Sequence, residues 1–81
     1  MSYRVEFHAS ALAQLQGLPS SAFDALGEGV GQLVGAPWET HPLDRDEPSF
    51  RQCTFGGLGL LSFHVDDNRQ QIRIFDVTWV G

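Results

Sequence analysis

The 81 residues amount to one domain, since chains divide into domains only at several times this length. Apolar residues make up 42% and charged residues 19%, the balance of a globular protein and not of a disordered tail. Five arginines and no lysine stand against ten carboxylates, a net charge of −5, which excludes a chain that grips nucleic acid through a clustered basic surface; direct DNA binding by the chain alone is not expected.

No apolar run approaches the ~20 residues of a membrane span, and positions 1–6 carry no basic-then-apolar leader. No membrane partner is expected, and the expected location is the cytoplasm. Cys53 is the single cysteine, so an internal disulfide and a multi-thiolate metal site are both excluded. His8, His41, Cys53 and His64 lack any CxxC, HxxxH or HxE spacing, and neither metal nor cofactor is expected.

The elements follow in chain order. Tyr3, Val5 and Phe7 alternate with Arg4, Glu6 and His8, the period of a half-buried strand. Ser10 offers a helix cap, and Leu12, Leu15 and Leu18 recur at helical spacing until Gly17 and Pro19 stop the helix. Ser20 and Ser21 cap a second helix, with Ser21 and Asp24 spaced as a capping box. Its apolar face runs through Phe23, Leu26, Val30 and Leu33. Gly27, Gly29 and Gly31 weaken it, each by ~1 kcal/mol relative to alanine. Ala36 to Ser49, with three prolines and four acidic residues, reads as a long connecting loop.

Three strands follow. Phe50–Phe55 is closed by the turn pair Gly56-Gly57, and Leu58–Val65 by the left-handed-tolerant run Asp66-Asp67-Asn68. In Gln71–Val80 the apolar phase shifts from Ile72 and Ile74 to Phe75, Val77 and Trp79. Such a shift marks either a strand covered on both faces or a bulge near residues 74–75. The expected fold class is α+β: an N-terminal strand, a helical hairpin, then a three-stranded antiparallel meander. Together these give a four-stranded sheet with two helices on one face.

This order and several segments resemble the RelE/ParE superfamily of bacterial toxin–antitoxin toxins. Tyr3-Arg4-Val5-Glu6-Phe7 and the leucine-bearing stretch Ala9–Leu15 are similar to the family's opening strand and first helix. Pro42-Leu43, the pair Phe50-Arg51, the run Gly57–Asp67 and the stretch Ile72–Val77 resemble its later segments, so the likeness covers residues 1–81 as a single domain. The resemblance implies a cognate antitoxin as partner, and as target either messenger RNA on the ribosome, cut by an endoribonuclease, or DNA gyrase. It puts Arg51 and Arg45 at positions comparable to functional basic residues.

Cleavage by internal attack needs an activated 2′-hydroxyl, a stabilised phosphorane and a protonated leaving oxygen. Arg51 is the candidate for the phosphate, with Arg45 beside it. His64, within an apolar strand but opposite in phase to Leu61, Phe63 and Val65, is the candidate proton carrier. The plain alternatives are a solvated sheet-face arginine and a half-exposed structural histidine. Arg73 reads as a cross-strand ion-pair partner. Trp38 and Trp79 read as packing residues or as anchors for a partner chain.

Departures from the family pattern set the balance. Leu60 stands where many members have an arginine, basic residues are missing after Trp79-Val80, and the chain is acidic where the family is mostly basic. These departures point to a toxin-like protein that binds an antitoxin with its nuclease activity weakened or lost. The alternative on the same fold is a non-catalytic interaction module, gyrase-binding or regulatory.

Overall fold

The computed structural model describes residues 3–80. The chain runs β1 (Arg4–Phe7), α1 (Ala9–Leu15), α2 (Ser20–Gly35), a 3₁₀ turn (Pro37–Glu39), β2 (His41–Asp44), β3 (Glu47–Phe55), β4 (Gly59–Asp66) and β5 (Gln71–Trp79). One sheet holds all five strands in the order β1-β5-β4-β3-β2. The expected α+β order is present, with the first strand lying parallel against the last. Expectations attached to Met1, Ser2 and Gly81 lie outside the described residues.

The main correction falls on residues 36–49. The stretch expected to be one loop holds a 3₁₀ turn and a fifth strand, β2, which pairs antiparallel with β3 and shifts register between Pro42 and Asp44. β3 accordingly begins at Glu47, three residues earlier than expected. Every residue of β2 is exposed, so it has no alternating apolar pattern to announce it. Pro42 is tolerated because β2 is an edge strand.

The core lies between one sheet face and the two helices. Phe55, Leu61, Phe63, Val65, Ile72, Ile74 and Val77 cluster with Ala11, Leu26 and Leu33. The bulge foreseen near 74–75 sits at Phe75: Ser62 opposes Asp76 while Phe63 opposes Ile74, and Phe75 has no partner. The extra residue returns Val77 and Trp79 to the core face and turns Phe75 to the other side, against Phe50.

β1 is four residues long and covers only Gln71 to Ile74 of β5. α1 covers the remainder of that edge. His8 N–H donates to the Ile74 carbonyl (2.7 Å), and Ser10 Oγ to the Phe75 carbonyl (3.2 Å). Gln14 Oε1 accepts the Val77 N–H (2.7 Å), while its Nε2 donates to Asp76 Oδ1 (2.9 Å). Side chains thus stand in for a missing strand on an edge that would otherwise present unpaired backbone.

The helix starts differ from the serine caps expected. His8 precedes α1 and Pro19 precedes α2, and neither supplies a side-chain cap. The apolar faces differ too: Ala11 and Ala22 are fully buried, whereas Leu12 is 51% and Phe23 52% exposed. In the β4–β5 turn the left-handed residue is Gln70 (φ 51°), not Asp67 or Asn68. Gly56 (φ 60°) justifies its place in the β3–β4 turn: a Cβ there would approach Ala25 Cβ to 2.8 Å.

Candidate functional site

Strand register assigns each sequence-flagged residue to a face, because directly paired residues share one. Arg51 pairs with Phe63, Cys53 with Leu61 and Phe55 with Gly59, all on the helix-covered face. Phe50 pairs with His64, Gln52 with Ser62 and Thr54 with Leu60, on the opposite, helix-free face. Arg51 and His64 are therefore separated by the sheet. Arg45 lies in the turn between β2 and β3. The three residues do not form one cluster.

Arg51 is 8% exposed, a correction to its reading as a solvated sheet-face residue. Its Nε donates to Thr40 Oγ1 (3.0 Å) and its Nη1 to the Pro48 carbonyl (2.9 Å). Its Nη2 donates to the carbonyls of Trp38 (3.3 Å) and Thr40. The guanidinium also lies 5.1 Å from the Trp38 ring centroid, within cation–π range. The fork ties the 3₁₀ turn and the starts of β2 and β3 together, a task the planar guanidinium suits and an ammonium does not.

Beside it, Tyr3 Oη donates to Asp67 Oδ1 (2.6 Å) and Trp38 Nε1 to the same oxygen (3.0 Å). The two donors hold the Asp67 carboxyl below the usual carboxylate range. The Tyr3 phenol is in turn pushed up, chiefly by its bond to Asp67. Trp38 links this clamp to Arg51. Cys53 is half-buried and burial pushes its thiol up, the opposite of an activated nucleophile.

The helix-free face carries the chemistry that remains. His64 packs against Phe50 with the rings tilted (centroids 4.8 Å apart, 55° between planes), and Phe50 meets Phe75 edge-on at 5.9 Å. Arg73 opposes His64 on β5 and pairs with Glu6 at 3.4 Å. Gln71 Nε2 donates to the other Glu6 oxygen at 2.6 Å. Arg69 reaches Asp66 at 3.8 Å. A cavity of about 100 Å³ lies among His64, Asp66, Arg69, Gln71 and Arg73. Such a face can hold a planar or anionic group. Among the described residues, however, no carboxylate hydrogen-bonds His64 to orient it as a base. Nor does any group of three His, Cys, Asp or Glu side chains there come together to hold a metal.

Two features of this face went unforeseen. Phe75 had a signal, the phase shift in its strand; the Glu6–Arg73 pairing had none, because it crosses from the first strand to the last. Arg73 as an ion-pair partner was expected, and the structure supplies Glu6 as that partner.

No protein-family model matches the sequence, and no curated protein is a significant relative of it. Solved structures do match. A chain of the toxin–antitoxin complex RelBE2 from Mycobacterium tuberculosis is 26% identical, with a TM-score of 0.87, covering 99% of this chain and 100% of that one. The chain is RelE-like over its whole length. An E. coli toxin RelE mutant bound to an antitoxin RelBc peptide is 19% identical at TM-score 0.83, covering 100% of this chain and 86% of its own. A chain of the intact E. coli RelBE complex is 17% identical at 0.81, covering 99% of each. The last two share the fold with the RelE-like chain described here.

Among the described residues no helix is long and apolar enough to cross a membrane.

Proposed function

We propose that this RelE-like chain is the toxin-type member of a bacterial toxin–antitoxin pair, that it binds a cognate antitoxin in the cytoplasm, and that ribosome-dependent messenger cleavage is weakened or lost. The observation that carries the reading is the end-to-end match, at 26% identity and TM-score 0.87, to a chain from a toxin–antitoxin complex. Co-expression with the product of the adjacent small gene tests it. A stable, co-purifying complex is expected; two proteins that elute separately would count against the pairing.

The disposition of the arginines supports weakened catalysis. Arg51 is engaged by main-chain carbonyls, Arg73 faces Glu6 and Arg69 faces Asp66. Arg4 lies on the edge strand β1 and Arg45 in the β2–β3 turn, between three and four strand spacings away. At about 4.8 Å per spacing that is about 14–19 Å, so the two do not converge on one reacting phosphate. Transition-state stabilisation needs preorganised donors aimed at a single developing charge.

The second reading, a non-catalytic interaction module acting on gyrase or as a regulator, draws on the same observation. An endoribonuclease built on Arg51, Arg45 and His64 would leave His64 to move protons on a face that Arg51 does not reach. Induced expression with mapping of messenger ends separates the readings. Cuts on translating ribosomes that vanish with His64→Ala but leave stability intact would restore the nuclease; growth arrest with DNA-damage signalling and no cuts would favour gyrase.

A further inference from the structure

Residues 37–46 lie on the sheet as a separable piece. The chain leaves α2 at Gly35-Ala36, passes through the 3₁₀ turn and β2, and re-enters the sheet at the start of β3. None of Trp38 to Asp46 belongs to the hydrophobic core cluster, and every residue of β2 is exposed. A cavity of about 200 Å³ lies among Gln32 and Leu33 of α2, Glu39 and Thr40 of the segment, and Cys53 of β3. Contacts missing across such a gap leave this junction weaker than close packing would.

Polar bonds hold the segment in place. β2 pairs with β3 through His41 with Gln52, Pro42 with Arg51 and Asp44 with Glu47, and the register shifts between Pro42 and Asp44. Pro42 has no N–H to give. From β3 the Arg51 fork binds the carbonyls of Trp38 and Thr40 and the Thr40 hydroxyl. One further bond reaches past β3: Trp38 Nε1 donates to Asp67 Oδ1 in the β4–β5 turn at 3.0 Å. Among the described residues it is the one side-chain hydrogen bond from residues 38–46 to an element beyond β3. The same oxygen is held from the other side, because Tyr3 Oη donates to it at 2.6 Å. Tyr3 adjoins β1, and β1 and β2 are the opposite edges of the sheet. A single carboxylate oxygen thus ties the segment to the far edge.

We propose that residues 37–46 form a strap that opens as a unit from the edge of β3, with the Trp38–Asp67 hydrogen bond as its latch. The open form bares the β3 edge and the cavity and leaves the core intact. The Tyr3–Asp67 bond belongs to the body of the protein and stays made when the strap opens. Openings of this kind lie at the low end of the range of stabilities within one structure.

Amide hydrogen exchange, followed residue by residue by NMR in the full chain, tests the proposal, since each opening exposes its own amides. With rates corrected for intrinsic exchange, the wild-type β2–β3 ladder amides should exchange about tenfold or more faster than the slowest amides of β4. On adding about 1 M urea the ladder amides should gain less than about twofold, whereas the β4 amides, which need global unfolding, gain about fivefold or more. The two donors on Asp67 then separate strap from body. A bond broken only on global unfolding affects β4 alone, and a bond broken when the strap opens affects both. Trp38→Phe keeps a ring beside Arg51 and removes the indole donor, so ladder and β4 amides should both speed up by about fivefold. Tyr3→Phe removes the other donor and should speed β4 by a similar factor, with the ladder within about twofold of wild type.

Ladder and β4 amides with one rate and one urea response make the sheet a single cooperative unit and overturn the strap. Ladder exchange within about twofold of wild type in Trp38→Phe overturns the latch. Ladder exchange in Tyr3→Phe as fast as in Trp38→Phe overturns the boundary drawn at Asp67. The wild-type urea series decides whether the strap exists even if a variant does not fold.

Discussion

Replacing Arg51 separates a structural arginine from a catalytic one. The side chain is 8% exposed and donates to Thr40 Oγ1 and to the carbonyls of Trp38, Thr40 and Pro48. A hydrogen bond to a charged group contributes about 1.5–3 kcal/mol net, but bonds sharing one guanidinium do not add. Arg51→Ala also loses the contact with Trp38, about 0.5–2 kcal/mol, and the packing of the aliphatic stem. Water entering the vacated space restores part of the carbonyls' bonding, so the expected cost is about 3 kcal/mol. A domain of this size holds only about 4–12 kcal/mol in total. Thermal melts should therefore show Tm lowered by about 12–24 °C, at about 4–8 °C per kcal/mol. Arg51→Lys keeps the charge but not the fork, and should fall between. If Arg51→Ala melts within about 2 °C of wild type, the side chain is not the tie the geometry describes. Loss of messenger cleavage at unchanged stability would make it a substrate residue instead.

The Tyr3–Asp67–Trp38 clamp makes stability fall at both pH extremes. Asp67 has a depressed folded pKa, so its contribution is present above the ordinary carboxylate range and lost as pH falls through the lowered value; Tyr3 has a raised one, so its contribution is present below its ordinary value near 10 and lost as pH rises through the raised value. Asp67→Asn should flatten the acid limb of a Tm-against-pH profile, and an unchanged limb would contradict the assignment. Gly59→Ala should cost about 1–3 kcal/mol in urea melts, because a Cβ there overlaps the ring of the buried Phe55; a neutral result would mean that ring can move aside. Any RNA binding should have a shallow salt dependence. Two arginines without a carboxylate partner among the described residues give a slope of about −1.4 and a loss of about sevenfold from 50 to 200 mM salt, and a slope near −4 in filter binding would contradict this count.

Most of the fold was legible because the core strands alternate. In β4, Leu61, Phe63 and Val65 share one phase, and in β5 the phase break at Phe75 marks either a bulge or a strand covered on both faces, of which the bulge is the one found. β2 was not legible. His41-Pro42-Leu43-Asp44 is exposed throughout and stands as a strand only because β3 and the Arg51 fork hold it. A tertiary tie overrode local signals of proline and acid, which ordinarily mark loops. The helix faces misled for a related reason. Apolar spacing chose Leu12 and Phe23 for the inner faces, whereas Ala11, packed with the sheet's core residues, and Ala22 are the ones buried, and the larger side chains are left outside.

The site was less legible, although one clue lay in the strand's own parity. Arg51 shares a phase with Cys53 and with Phe55, which is fully in the core, while Phe50, Gln52 and Thr54 take the other. A cation in phase with core residues must be buried, and a buried guanidinium needs acceptors. Those acceptors come from Trp38, Thr40 and Pro48, a stretch that resists reading as anything but loop. The consequence reaches the function. Once Arg51 is required to hold β2 in the sheet, it cannot also leave its carbonyls to meet a phosphate without loosening the edge it organises. The RelE-like frame thus buries Arg51 and sets Arg69 and Arg73 in exposed surface ion pairs. The face of the two helices carries Asp24 and Glu28 as its only charges, a surface unsuited to RNA phosphates.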